Sequence, residues 1–478
     1  MILESVNGYL FLVLFWSFSF ASINFLFRRK ATSLSFLVSE RSVGLLLGTV
    51  TTAISWVWAG ALFVSSQKAY EQGIPGLFWF TFPNALALII FSFLAGRMHE
   101  IFGRGFTLPE FIGLRFDQRM RTVYIFTIFA SQCYAVIFNL TAALLMLNLV
   151  TGISKPFLIV ILGLMMISLS VVKGIRSSLV EDTIKACLIG FVALGIIPFI
   201  IYELGGFSAL IAGSGGAKGV FTNLFDPKIA WTFGVPVSVS LISGIIIDQQ
   251  QWQRAFSMRS GVSRKAFFFG GFVFAIVPIM LGALGFLAAN KNLGIPVKES
   301  QLAGFSVAVS ALSSVGIISF TAMVLAGLVA AGSSALSAIS SIGAIDVFKL
   351  TPKIARDREL IFVSRISMLI LALVGMSIAL IPAIQLLYLL LLIGVLRSSL
   401  LVPTLLSLWW PRLSSRFTFI GILIGIAVGI PLFVYGSIVK NATISSVGAL
   451  VPISITLAAC ALSGFLNKKP FDFRELNK

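Results

Sequence analysis

Four charged side chains stand in or at the ends of long apolar runs: Asp182, Lys185, Asp248 and Arg397. Placing a Lys or Arg at the centre of a membrane helix costs about 3 kcal/mol on insertion scales, so an intramembrane ion is a functional candidate by default. The chemistry these groups offer is binding and ion exchange rather than bond cleavage. The Lys185 amine either stands where a cation would bind and titrates there, or it snorkels to the bilayer edge or pairs with Glu181 or Asp182. Arg397 presents a fork that suits a carboxylate or polar groups of the core. Asp182 and Asp248 are read toward the ends of their helices, where they serve ion release or a plain salt bridge to loop arginines. Trp56 and Trp58 offer rings that gate a path and stack on flat amides, while Trp79 reads as an interface anchor.

What is missing narrows the function. There is one histidine, His99, at a loop edge, and Cys133, Cys187 and Cys460 show no metal spacing or disulfide framework. No set of acid, base and nucleophile converges, so the chain is read as not an enzyme and as needing no cofactor beyond a coupling ion, Na+ or H+. No midplane acid is visible in the core helices, which argues against a polycation and for a small neutral solute.

The elements that position these residues follow from composition. The 478 residues are 58% hydrophobic and 11% charged, with a mean hydropathy of +1.03, whereas soluble domains carry about 25% charge. In lipid every backbone N–H and C=O needs an internal partner, so apolar runs of about 20 residues become helices. The fold class is all-α and polytopic. Thirteen spans are predicted at 8–27, 42–66, 76–97, 120–150, 156–172, 179–201, 229–248, 266–289, 318–346, 360–381, 384–410, 416–437 and 447–466, and they are numbered first to thirteenth below.

The net charge of +18 comes from loops. With the amino terminus outside, 25 of the 35 Lys and Arg fall on the cytoplasmic side, as the positive-inside rule requires. The expected location is the cytoplasmic (plasma) membrane, multi-pass, with the carboxyl terminus inside. The expected partners are a small solute and the bilayer, with no nucleic acid and a monomer as the simplest assembly. The first span lacks a cleavage site and its basic cluster follows the apolar run, so it reads as an uncleaved anchor. Residues 1–478 read as a single membrane unit: an extra helix at 8–27, two five-helix halves at 42–201 and 229–410 of opposite orientation, and two helices at 416–466. The stretch 301–317 reads as an external or re-entrant helix.

The sequence resembles the sodium:solute symporter family through motifs spread over nearly the whole chain: SERSV at 39–43, TLPEFIGLRF at 107–116, KGIRSS at 173–178 followed by Asp182, DQQQWQR at 248–254 and SSIGAID at 340–346. SWVWAGALFVSS at 55–66, GIPGLFW at 73–79, AGSSALSAISS at 331–341 and Asp248-Gln249 are most similar to the urea and polyamine permease branch. The resemblance implies a leucine-transporter-type core of ten helices, spans two to eleven. It places a midplane solute site, with Ser55, Trp56, Trp58, Asp248 and Gln249 among its candidates, between the unwound parts of spans two and seven and their neighbours four, nine and eleven. It further implies a sodium site formed by carbonyls near Ala53 and Gly327 and by two hydroxyl residues of the ninth span. Those two positions are Ala330 and Ala331, which carry no side-chain oxygen for a hard cation. Ser333 and Ser334 lie one turn further on and either form a shifted site or serve helix packing. The sixth span carries Lys185 where the family usually has a neutral polar residue or His. The expectation is alternating-access transport of a small polar solute, urea-like, with sodium dependence weakened or lost. A carrier of another family solute, a transporter-like sensor and a channel are the rival readings.

Overall fold

The computed structural model describes residues 5–26, 31–291, 294–350, 355–381, 386–467 and 470–477. Arg28, Arg29, Lys30, Lys353, Lys468, Lys469 and Lys478 of the basic tally lie outside the described residues, as do the predicted span ends at 27 and 384. Among the described residues the chain is helical and contains no strand, only one isolated bridge between Val43 and Met258.

Among the described residues, twelve helices are long and apolar enough to cross a bilayer. One of them, Gly60–Phe102, has 43 residues and as a straight helix would measure about 65 Å, roughly twice the hydrocarbon core. It is not straight. At Gly73 the backbone turns to φ 60° and ψ −147°, and a Cβ placed on Gly76 would lie 2.3 Å from the Lys68 carbonyl oxygen. Eight residues along an unbroken helix are about 12 Å apart, so the chain has doubled back. Only glycine suits this turn, because a Cβ at Gly73 would also meet the Ser214 carbonyl at 2.4 Å. With Leu45–Ser55 leading into the first arm, the crossings number thirteen, as the hydropathy pattern predicts.

Two spans are broken inside the membrane. The second stops at Ser55 and resumes at Gly60. Between them, the Val57 N–H closes on the Ile54 carbonyl at 3.0 Å, and the Ala59 N–H is taken by Asn139 Oδ1 at 3.0 Å. The seventh span corrects the sequence reading. Instead of ending near 248 it runs Pro227–Ile247, becomes extended at Asp248 (φ −77°, ψ 111°) and continues as Gln249–Ser257, every residue of which is buried. Asp248 therefore sits at a break within the span, and it caps the second piece by accepting from the Gln250 N–H at 3.0 Å.

The short pieces of both broken spans meet on the arginine-rich side. Val43 N–H donates to the Ser257 carbonyl at 3.1 Å and Arg259 N–H to the Val43 carbonyl at 3.0 Å. Arg41 reaches the carbonyls of Phe256, Arg104 and Gly105 at 3.1, 2.7 and 2.9 Å. Burial lowers the Arg41 guanidinium to about 10, which leaves it charged at neutral pH and makes this clamp insensitive to physiological pH. On the opposite side, the segment predicted as an external helix forms Val297–Leu302 and Ala303–Ala311. It caps the second span: Ser300 donates to Glu71 at 2.6 Å, Lys68 pairs with Glu71 at 2.5 Å, and a Cβ on Gly304 would meet Ser66 at 2.7 Å.

Candidate functional site

The two breaks face one another across a cavity of about 40 Å³. Its walls are Ser55, Trp56 and Trp58 of the second span, Tyr134, Ala135 and Asn139 of the fourth, Asp248 and Gln250 at the seventh-span break, Ala331 of the ninth and Arg397 of the eleventh. Breaking a helix at this depth exposes backbone polar groups, and membrane proteins tolerate that only where protein or a polar cavity satisfies them.

The groups in the cavity are held from behind. Arg397 donates through Nε to Ser131 Oγ at 2.9 Å and through Nη2 to the Ser131 carbonyl at 3.4 Å, and its guanidinium carbon lies 5.3 Å from the Tyr134 ring centre. Asp248 accepts from Gln132 at 2.9 Å, and Gln132 in turn accepts from Gln250 at 3.0 Å. Trp56 donates to Asn84 at 2.8 Å, and Gln251 donates to Ser55 at 3.3 Å. Two buried polar atoms in these walls have no protein partner, Trp58 Nε1 and the Tyr134 hydroxyl. Native interiors leave few such groups unmet, so a pair beside one cavity marks where a ligand's acceptors belong.

Of the residues singled out from sequence, Ser55, Trp56, Trp58, Asp248 and Arg397 come together here. Gln249 does not. It donates to the Phe106 carbonyl at 3.0 Å and to Ser341 at 3.2 Å, and accepts from the Leu108 N–H at 3.1 Å, fastening the loop that opens TLPEF. Asp182 also lies elsewhere, paired with Arg254 at 2.8 Å with both side chains 1% exposed. Trp79 stays apart too, its ring against Gly234. The view that the core helices lack a midplane acid is corrected by Asp248, which lines the cavity together with Arg397.

Lys185 is fully buried. Its ammonium donates to the Val57 carbonyl in the second-span break, and its Cε lies 3.6 Å from where a Cβ on Gly327 would stand. It thus does not snorkel to solvent, and its hydrogen bond goes to a backbone carbonyl. The sodium candidates disperse: Ala53 and Gly327 are buried on their helices, Ser333 donates to the Met166 carbonyl at 3.4 Å, and Ser334 hydrogen-bonds Ser178 at 2.8 Å and accepts from Arg254 at 3.0 Å. Both hydroxyls thus have protein partners, and the Lys185 ammonium stands at the Val57 carbonyl, beside Gly327.

The sequence reading placed the fourth span beside the site but named none of its residues. Ser131, Ala135 and Asn139 are four residues apart and share a face, and polar residues at that spacing in an apolar run were the available signal.

Two interrupted helices with a small polar cavity between them, set among long apolar helices, have the leucine-transporter-type fold of a polytopic membrane protein. The family follows: the model of the sodium:solute symporter family matches residues 36–425, and the chain belongs to that family. Among curated relatives it is 22% identical over 411 residues to the urea active transporter of Saccharomyces cerevisiae, covering 79% of this chain and 55% of that protein. It is 22% identical over 494 residues to the urea-proton symporter DUR3 of Oryza sativa subsp. japonica, covering 92% and 67%. The chain thus spans between about half and two thirds of the length of these relatives. Among solved structures, a Na+-coupled sialic acid symporter superposes with a TM-score of 0.77 at 17% identity, covering 97% of this chain and 99% of that one. Mhp1, a nucleobase-cation-symport-1 family transporter, gives 0.55 at 12%, covering 92% and 97%. At these identities the likeness concerns the fold.

Proposed function

We propose that the chain is a secondary active carrier of a small, neutral, polar solute of the urea class, working by alternating access around the cavity between the two breaks. The cavity carries the reading. Its 40 Å³ corresponds to about three water-sized volumes, which suits a solute of a few heavy atoms and not a sugar. Trp58 Nε1, the Tyr134 hydroxyl and Arg397 are donors for a carbonyl, and Asp248 is an acceptor for amide N–H groups. Opposite charges on Arg397 and Asp248 leave the site without a net preference for an anion or a polycation. The names of the yeast and rice relatives support the same solute class.

Lys185 at the Val57 carbonyl supports coupling without sodium, with protons as the driving ion. The arginine-rich face is the cytoplasmic one in this reading, at the plasma membrane, with the amino terminus outside, and one copy encloses a complete solute path. The reading is of transport rather than catalysis.

The test is counterflow in proteoliposomes with a panel of solutes beginning with urea. Saturable exchange of urea is expected, and a sodium gradient at fixed pH is expected to leave uptake unchanged. Strong sodium stimulation would refute the coupling reading, and non-saturable flux would favour a channel.

A further inference from the structure

Glu181 is buried in the sixth span at 5% exposure, and neither of its carboxyl oxygens has a hydrogen-bond partner. Among the described residues no other buried carboxyl group is left with both oxygens unmet. The nearest positive groups make their hydrogen bonds elsewhere and reach it only through charge. Lys185, one turn along the same helix, gives its ammonium to Val57. Arg254, on the buried piece that follows the seventh-span break, is held by Asp182 and Ser178 at 2.8 Å each and by Ser334 at 3.0 Å. The neighbouring Ser333 hydroxyl is a neutral donor near the carboxyl, and it is turned to the Met166 carbonyl at 3.4 Å. Glu181 instead faces a separate cavity of about 10 Å³, shared with Ser19 of the first span and Ala326 and Ala330 of the ninth. Among the described residues, the first, fifth and ninth spans bring no titratable side chain to this cavity, and the charged groups acting on Glu181 are Asp182, Lys185 and Arg254.

A carboxylate stripped of water and of donors is far costlier to bury than a carboxylic acid. This packing therefore accommodates the neutral form, in a space with room for one water at most. We propose that Glu181 carries the coupling proton, a role that rests on the carrier reading above. When Glu181–COOH releases its proton to water on the side that opens, the carboxylate left behind needs a positive partner, and Lys185 is one helical turn away. The Lys185 ammonium carries three N–H donors, and turning it toward Glu181 draws it away from the Val57 carbonyl. Leaving Val57 unclamps the unwound segment that holds Trp56 and Trp58 in the cavity wall. Proton occupancy of Glu181 is thereby linked to the shape of the solute site, and by reciprocity bound solute alters how firmly Glu181 holds its proton.

The experiment uses the full chain in sodium-free proteoliposomes with urea as the probe. Counterflow at equal pH and accumulation under an imposed pH gradient are read side by side. Wild type is expected to show both. Glu181→Gln, which mimics the protonated side chain, is expected to keep counterflow and lose gradient-driven accumulation, while Glu181→Asp retains a reduced gradient response. Undiminished gradient-driven accumulation in the Gln variant overturns the inference. So does counterflow without any gradient response in wild type, or loss of counterflow in both variants when each is monodisperse, since the residue is then structural. A readout that needs no solute is the carbonyl stretch of an un-ionised carboxylic acid in the infrared spectrum. One component of this band is expected in wild type and lost in Glu181→Gln, and a band of unchanged intensity in the variant overturns the assignment. Failure of urea counterflow in wild type would count against the proposed function and leave this spectral test standing.

Discussion

The Lys185 ammonium donates to the carbonyl of Val57, 128 positions earlier, at the point where the second span has lost its helix. A carbonyl freed from a helix within a membrane needs a donor from the protein, and the companion N–H, that of Ala59, finds Asn139 in the same way. Replacing Lys185 with Ala removes the donor and opens a buried space. An unmet buried carbonyl costs about 1–3 kcal/mol. Lys185→Ala is expected to lower the thermal midpoint in detergent and to abolish concentrative uptake. Wild-type stability together with wild-type uptake would show that this contact is incidental.

The same locus sets an expectation for sodium. Ala330 and Ala331 supply no oxygen, and Lys185 already occupies the carbonyl. Ala330→Ser with Ala331→Ser is therefore expected to leave uptake independent of sodium as long as Lys185 is present. Adding Lys185→Ala to that pair vacates the carbonyl and supplies hydroxyl ligands suited to a hard cation. Sodium-stimulated urea uptake should appear only in the triple variant. Its appearance in the double variant would mean that the ammonium does not compete with the ion.

Trp58 gives a prediction with two signs. Its Nε1–H is buried and has no protein partner, while its ring packs on Phe138 at 4.9 Å and Tyr134 at 6.2 Å. Trp58→Phe keeps most of the packing and deletes the donor. Apparent affinity for urea is expected to fall by up to about tenfold, the worth of one hydrogen bond. The thermal midpoint without solute should stay level or rise, because an unsatisfied group has been removed. A large loss of stability with unchanged affinity would assign Trp58 to the scaffold instead.

The spans were legible because the bilayer leaves the chain few alternatives, and each predicted crossing has its helix. The seventh-span break was not, because hydropathy detects contact with lipid. The piece after Asp248, QQQWQRAFS, looks like a loop and yet is wholly enclosed by protein. For the same reason Asp248 was read at a helix end when it lines the cavity. Lys185 stood out as an intramembrane cation, but its partner is a backbone carbonyl, and backbone atoms carry no side-chain signature. The neutral polar residues Gln132 and Asn139 were passed over because each is unremarkable alone, and they matter through what the two breaks leave unpaired.

Gly73 tests the fold itself. The reversal between the second and third spans needs φ 60° with ψ −147°, a combination that side-chain-bearing residues almost never adopt. A Cβ there would also press on the carbonyls of Ser214 and Phe221 at 2.4 and 2.6 Å. Gly73→Ala is expected to reduce the yield of monodisperse protein sharply, read by size-exclusion profile, whereas Gly190→Ala, where a Cβ meets nothing within 4 Å, should be silent. Equal profiles for the two would mean that the turn relaxes without consequence.

The buried pair Arg254 and Asp182 separates scaffold from transport. Arg254 binds Asp182, Ser178 and Ser334 at once, tying the buried helix after the seventh-span break to the sixth and ninth spans. Removing one member of a buried ion pair strands the other charge, at a cost of about 3–5 kcal/mol. Arg254→Ala is expected to fail to yield folded protein, and Arg254→Ala with Asp182→Asn to recover part of it. Ser334→Ala removes one neutral partner and should cost only about 1 kcal/mol, with no change in ion dependence expected, since this hydroxyl accepts from Arg254. If Ser334→Ala instead abolished an ion-dependent component of uptake while leaving the thermal midpoint untouched, the serine would be a ligand. The division of labour between this clamp and the Lys185 locus would then have to be redrawn.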